Sequence, residues 1–181
     1  MHSKKPSVAG MFYSKNKEEL QNQIEYFKHV NKNTYEYKTR AVIVPHAGLI
    51  YSGRLAFEGI SQIDRNVKNI FIFGPSHHVA FEGIAITSFD AWETPLGQIE
   101  INKDICIALQ NIFNANINDE AFAPEHSIEV ELPIIQSIFN NIKIIPILVG
   151  NEDADKIKEI INYYYQNKQN AFIISSMISL L

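Results

Sequence analysis

The chain switches repeatedly between two hydrophobic periods, and each switch marks an element. Across 16–30, Leu20, Ile24 and Phe27 recur at helical spacing behind Asn16, with Glu19 three residues after that asparagine. This is the pattern of a helix opened by a side-chain cap. RAVIVP (40–45) is a continuous apolar run of strand length, SGRLAFEGISQI (52–63) returns to helical spacing with Ser52 as its candidate cap, and NIFIF (69–73) is a second buried strand. Strand, helix and strand in that order predict a parallel βαβ unit, so the loops after both strands leave the same edge of the sheet.

The alternation continues to the end of the chain. GIAIT (83–87) and LGQIEI (96–101) read as strands joined through FDAWETP by a hairpin or meander connection, and 103–113 reads as a helix. IEVELPIIQSIF has helical spacing that Pro133 should kink or restart, because proline removes one backbone donor. IKIIPILVG (142–150) reads as a buried strand in which Pro146 predicts a bulge or a sheet edge. A helix over 153–167 and a strand over 171–176 follow. The pattern predicts an α/β fold, a single domain over 1–181, with three α/β/α layers around a mostly parallel, mixed central sheet. MISLL after the strand over 171–176 brings no covering helix. A parallel sheet needs cover on both faces, so the reading expects a C-terminal part to be missing.

Composition narrows the classes of function. Sixteen Lys and Arg against twenty Asp and Glu give a formal charge of −4, with no basic block, which argues against a nucleic-acid partner. No apolar run has the length of a signal peptide or a membrane span, so the expectation is a cytoplasmic protein without membrane attachment. Cys106 is the one cysteine, and Ile105, Ile107 and Leu109 around it suggest a small hydrophobe on a core-facing helix rather than a ligand. Trp92 reads as a structural anchor.

The candidate chemistry lies in four of the six histidines, which fall in three short patches. His46 sits in VPHAG directly after the first strand, with Ala47 and Gly48 leaving space beside the imidazole. A lone core histidine satisfied by a carbonyl is the plainer reading, but loops at the carboxyl ends of parallel strands converge on one crevice, which favours a site residue. FGPSHH follows the second strand, with Ser76 supplying a hydroxyl. Adjacent histidines seldom chelate one ion together, so His77 is taken as the inner residue and His78 as a pocket residue. His126 in PEHSIE is flanked by Glu125, Glu129 and Glu131, with Ser127 as a candidate helix cap. A helix start there would lower its pKa and keep the imidazole neutral, while the plainer reading leaves the carboxylates solvated. Two or three imidazoles plus an anionic ligand make an open site for Fe(II), Zn or a related ion, and the residues here supply no clear anionic third ligand.

Taken together, PSVAGMFY, VPHAGLIYSG, FGPSHH, ETPLG, EHSIEVELP and IIPILVG occur in the order and approximate spacing found in the Memo family, which this chain resembles from Pro6 to about Ser176. The resemblance implies a fold like that of class III extradiol dioxygenases and a non-haem metal site, with His46 and His77 as ligands. It places His126 in the same pocket, supporting the ligands from behind or donating a hydrogen bond, and the reading of the patches themselves adds Ser76, His78 and Glu129 as pocket residues. It implies Fe(II) first, with Cu or Zn as alternatives, and a radical SAM protein as a pathway partner. After Ser-Ser the family usually continues with Asp, one apolar residue, Ser or Cys, then His. Here Met177, Ile178, Ser179, Leu180 and Leu181 stand instead. The family's cysteine ligand falls in a region beyond this chain.

Three functions follow from these readings. The first is a Memo-like metal protein with redox or dioxygenase-like chemistry in the intact family member, impaired in this chain. The second is a non-catalytic binding module that uses a vestigial pocket. The third is a metal-dependent hydrolase, for which Glu125 or Glu129 would serve as base.

Overall fold

The computed structural model describes residues 2–31, 38–151 and 154–176. Met177 to Leu181, where the sequence departs from the family pattern, lie outside the described residues, as does Asp153 at the expected start of the last helix.

Five parallel strands form the centre of the molecule. A short strand, β1 (Ser3–Lys4), precedes α1 (Lys17–Val30), in which Asn16 accepts the Glu19 N–H as the sequence pattern requires. Then come β2 (Ala41–Val44), α2 (Leu49–Ser61), β3 (Asn69–Pro75), β4 (Ile84–Ile86), β5 (Ala91–Thr94) and β6 (Gly97–Ile101). The chain continues through α3 (Lys103–Phe113), β7 (Asn116–Ile117), α4 (Asp119–Phe122), a 3₁₀ turn at Glu129–Glu131, α5 (Leu132–Ile138), β8 (Lys143–Val149), α6 (Ala154–Tyr165) and β9 (Asn170–Ser175). The sheet order is β1-β5-β6-β8-β3-β9-β2, with β6, β8, β3, β9 and β2 parallel, and β5 and β4 entering antiparallel.

The register separates the two faces. Ala41 pairs with Phe172 and Val44 with Ser175, so these pairs project to opposite sides of the sheet. Val44 meets α2 at Gly59, and α1 and α5 pack beside α2. On the other face, Phe71 and Phe172 stack with ring centroids 5.1 Å apart, and Tyr164 of α6 lies 4.8 Å from Phe71. Phe113 of α3 meets Tyr163 of α6, which joins these helices into the outer layer. This is the expected three-layer α/β/α arrangement around a mixed, mostly parallel sheet.

Three local expectations are corrected. Ser52 does not cap α2: the helix opens three residues earlier, at Leu49, and the Ser52 hydroxyl donates to the Ala47 carbonyl. FDAWETP is more than a connection, because Ala91–Thr94 is itself a strand that pairs with β6 as a hairpin; its polar residues masked the buried Ala91 and Trp92. Pro146 is neither at a bulge nor on an edge strand, since β8 lies between β6 and β3 in regular register. Ile144 accepts from Asn102 on the side away from β3, and backbone groups two residues apart point the same way, so Pro146 faces that side too. There β6 pairs only at Lys143 and Ile144 and β4 only at Leu148 and Val149. The missing N–H falls in the gap between them.

Candidate metal centre

Parallel strands β2, β9 and β3 end side by side, and their carboxyl-end loops place the histidines. His46 follows β2, His77 follows β3, and His126 lies on the loop before the 3₁₀ turn. That loop is drawn tightly over the end of β3. Ser127 donates through Oγ to the Pro75 carbonyl at 2.8 Å, and a Cβ on Gly74 would stand only 2.5 Å from the same oxygen. Ser127 therefore ties two loops together and does not cap a helix, as the sequence had suggested; the 3₁₀ turn has no side-chain cap.

The three imidazoles share one space. One ring nitrogen from each of His46, His77 and His126 lies within 4.8 Å of the others. His77 and His126 stack at 4.7 Å with 19° between planes, and His46 stands nearly perpendicular to both, 5.3 and 5.7 Å away. His78 is exposed and its ring is 6.2 Å from that of His126. Ser76 spends its hydroxyl on the Val79 carbonyl, closing the turn. Phe12, from the N-terminal segment, tilts against His126 at 4.7 Å.

Hydrogen bonds orient two of the rings. His46 is 1% exposed, its Nδ1 lies 2.8 Å from Ser175 Oγ, and its Nε2 has no partner among the described residues. Burial, then the neighbouring His77 and His126, lower its pKa to about 4, so the ring is neutral at pH 7. His77 Nδ1 is 2.9 Å from Glu125 Oε1, leaving its other nitrogen for the shared space. Glu125, 1% exposed, also accepts the backbone N–H groups of His77, His126 and Ser127. Burial alone would raise its pKa, but these donors outweigh burial and hold it at about 2. The His126 pKa is lowered, with burial as the main cause rather than a helix terminus.

Glu129 does something different from lining the cluster. Its carboxylate accepts from Lys4 Nζ (2.8 Å), Ser7 N (2.9 Å), Ser7 Oγ (2.6 Å), Val8 N (3.0 Å) and Tyr13 Oη (2.7 Å). It therefore clamps the N-terminal segment onto the site. Glu131, fully buried, has Oε1 3.2 Å from Ser175 Oγ. Glu125 as an orienting carboxylate, Ser175 and Glu131 were not recognised from sequence in these roles. A serine closing an apolar strand and a glutamate between valine and leucine were the available signals. Cys106 is buried in α3, and burial lifts its thiol to about 11.

A family model described as Memo-like protein matches residues 4–179. The chain belongs to the Memo family. Among its relatives are MEMO1 family proteins of Caldivirga maquilingensis, 39% identical over 166 residues, and Aquifex aeolicus, 38% identical over 160 residues. These alignments cover 86% and 88% of this chain and 59% of each relative. The MEMO1 family protein MHO1 of Saccharomyces cerevisiae is 32% identical over 193 residues, covering 93% of this chain and 56% of its own length. The chain thus spans well under two thirds of these Memo relatives. Among the described residues, no helix is long and apolar enough to cross a membrane.

Proposed function

We propose that this chain carries the Memo-type metal centre on His46 and His77, with His126 as the third imidazole facing the same space. The observation that supports this most directly is the unpartnered, buried His46 Nε2 inside a cluster of three histidines. An uncompensated buried polar atom is costly, and a metal would satisfy it. The donor set fits. His46 and His77 each have Nδ1 engaged by an oxygen, the arrangement by which metal-binding imidazoles are held in one orientation.

The ligand atoms His46 and His77 offer are imidazole nitrogens, which suit iron, copper and zinc alike, and Fe(II) comes first through the family resemblance. Such an ion supplies Lewis acidity and, as iron or copper, one-electron redox capacity for dioxygenase-like chemistry in the intact family member. The chain's own contribution is positional. Glu125 holds His77, Ser175 holds His46, and His126, kept neutral by burial, can accept a proton or donate a hydrogen bond at the pocket wall. Phe12 shields His126 on one side.

The hydrolase reading has less support, because Glu125 and Glu129 are each 1% exposed and both oxygens of each carboxylate already accept hydrogen bonds. A vestigial pocket without metal, the second reading from sequence, predicts ligand binding that survives chelators. A radical SAM pathway partner belongs to the same proposal, and co-purification with such a protein would test it. The deciding experiment is anaerobic loading with Fe(II) followed by elemental analysis. Wild-type protein should retain stoichiometric metal. Retention no greater than that of a His46→Ala, His77→Ala double variant sinks the reading.

A further inference from the structure

Counting protons around Ser175 fixes more than the positions of the atoms. Its Oγ has three close oxygen or nitrogen neighbours: the Ser127 carbonyl oxygen at 2.6 Å, His46 Nδ1 at 2.8 Å and Glu131 Oε1 at 3.2 Å. A hydroxyl has one proton to give and two lone pairs to receive. A carbonyl can only accept, so the Ser175 proton goes to Ser127. His46 Nδ1, at 2.8 Å, must then donate, and the longer Glu131 Oε1 contact is a hydrogen bond to the same oxygen only when the carboxyl carries the proton. His46 therefore carries its proton on Nδ1, and a neutral Glu131 with its proton directed at Ser175 completes the set.

We propose that Ser175 and Glu131 are positioning residues that lock His46 as its Nδ1–H tautomer and so keep Nε2 bare toward the histidine cluster. An ionised Glu131 would instead compete with Ser127 for the single hydroxyl proton. The environment of Glu131 agrees: it is fully buried, no cation lies among its described partners, and burial raises its pKa to about 8. The value of a bare Nε2 rests on the metal reading above, whereas the tautomer itself does not.

The test uses the metal-free 181-residue chain, ¹⁵N-labelled, at neutral pH. Long-range ¹H–¹⁵N correlation should show His46 protonated on Nδ1 alone, and infrared spectroscopy should show a protonated-carboxyl band that disappears in Glu131→Gln. Because the Gln side-chain N–H can donate from the same place, this variant should keep the Nδ1–H tautomer and bind Co(II) within about twofold of wild type. Ser175→Ala should admit the Nε2–H tautomer and weaken Co(II) binding about 10- to 100-fold, the range for loss of an orienting partner. An Nε2–H tautomer in the wild type, or the absence of the carboxylic-acid band, overturns the inference. If Ser175→Ala does not fold, the wild-type and Glu131→Gln spectra decide the question by themselves. If wild-type protein binds no Co(II) while both spectra hold, the metal reading fails and the tautomer lock stands.

Discussion

Glu129 offers a direct way to separate clamping from pocket lining. Lys4 and Glu129 form an ion pair at 2.8 Å with side chains 4% and 1% exposed, and four further donors saturate the carboxylate. Lys4→Met leaves Glu129 charged but still holding those four bonds, so the cost should be about 2–3 kcal/mol, near the value of one charge-assisted bond. Glu129→Gln removes the charge that all five donors address and strands a buried ammonium, a loss of about 3–5 kcal/mol. Neither change touches a histidine. The double variant should be less destabilised than the sum of the two by at least about 1.5 kcal/mol, because both single changes break the same pair. Urea unfolding of the four proteins, followed by fluorescence, gives all these quantities. Additive effects, or a Glu129→Gln midpoint equal to wild type, would refute the clamp. So would a Glu129→Gln variant that unfolds normally but binds Co(II) more weakly than wild type, since that behaviour belongs to a pocket residue.

Other expectations are simpler to state. Glu131, whose pKa is raised by burial from 4.5 to about 8, favours the folded state below pH 4.5, and that contribution is lost as pH rises through 8, at up to about 1.36 kcal/mol per unit. Glu131→Gln should flatten this alkaline limb in urea unfolding at pH 5.5 and 7.5. The His46 pKa is depressed from 6.5 to about 4, so its stability contribution is present above 6.5 and is lost as pH falls through 4; an acid limb unchanged in His46→Asn would contradict this. Gly74→Ala places a methyl group 2.5 Å from Ser127 Oγ and should cost about 1–3 kcal/mol, measured by thermal unfolding. Glu125→Gln sets an amide NH₂ among donors that need an acceptor, and should weaken Co(II) binding about 10- to 100-fold in a spectroscopic titration.

What the sequence disclosed follows from whether the signal was local. Helix α1 could be read because Asn16 bonds to its own first turn; the same device at Asn102, which opens α3, went unread. His46 and His77 could be read because apolar runs directly precede them. The short strand β1 carries a lysine that is buried only because Glu129, 125 positions away, receives it. No local pattern encodes such a pairing. The same holds for Glu131 and Ser175, each ordinary in its own segment and informative only once the sheet brings them together. Cys106 proved to be buried as a packing residue, as its apolar neighbours had indicated, and Trp92 is buried as the structural anchor it was read to be.

The clamp between Lys4 and Glu129 has a kinetic corollary. The segment at Phe12, the loops after β2 and β3, the turn at Glu125 and the end of β9 come from five distant stretches of chain, and none can reach its partners until the parallel sheet has closed. Contacts of such long sequence separation form late in folding. An ion that needs all of them should thus bind only the finished domain, and its affinity would appear as resistance of the whole molecule to unfolding rather than as the tightening of one loop.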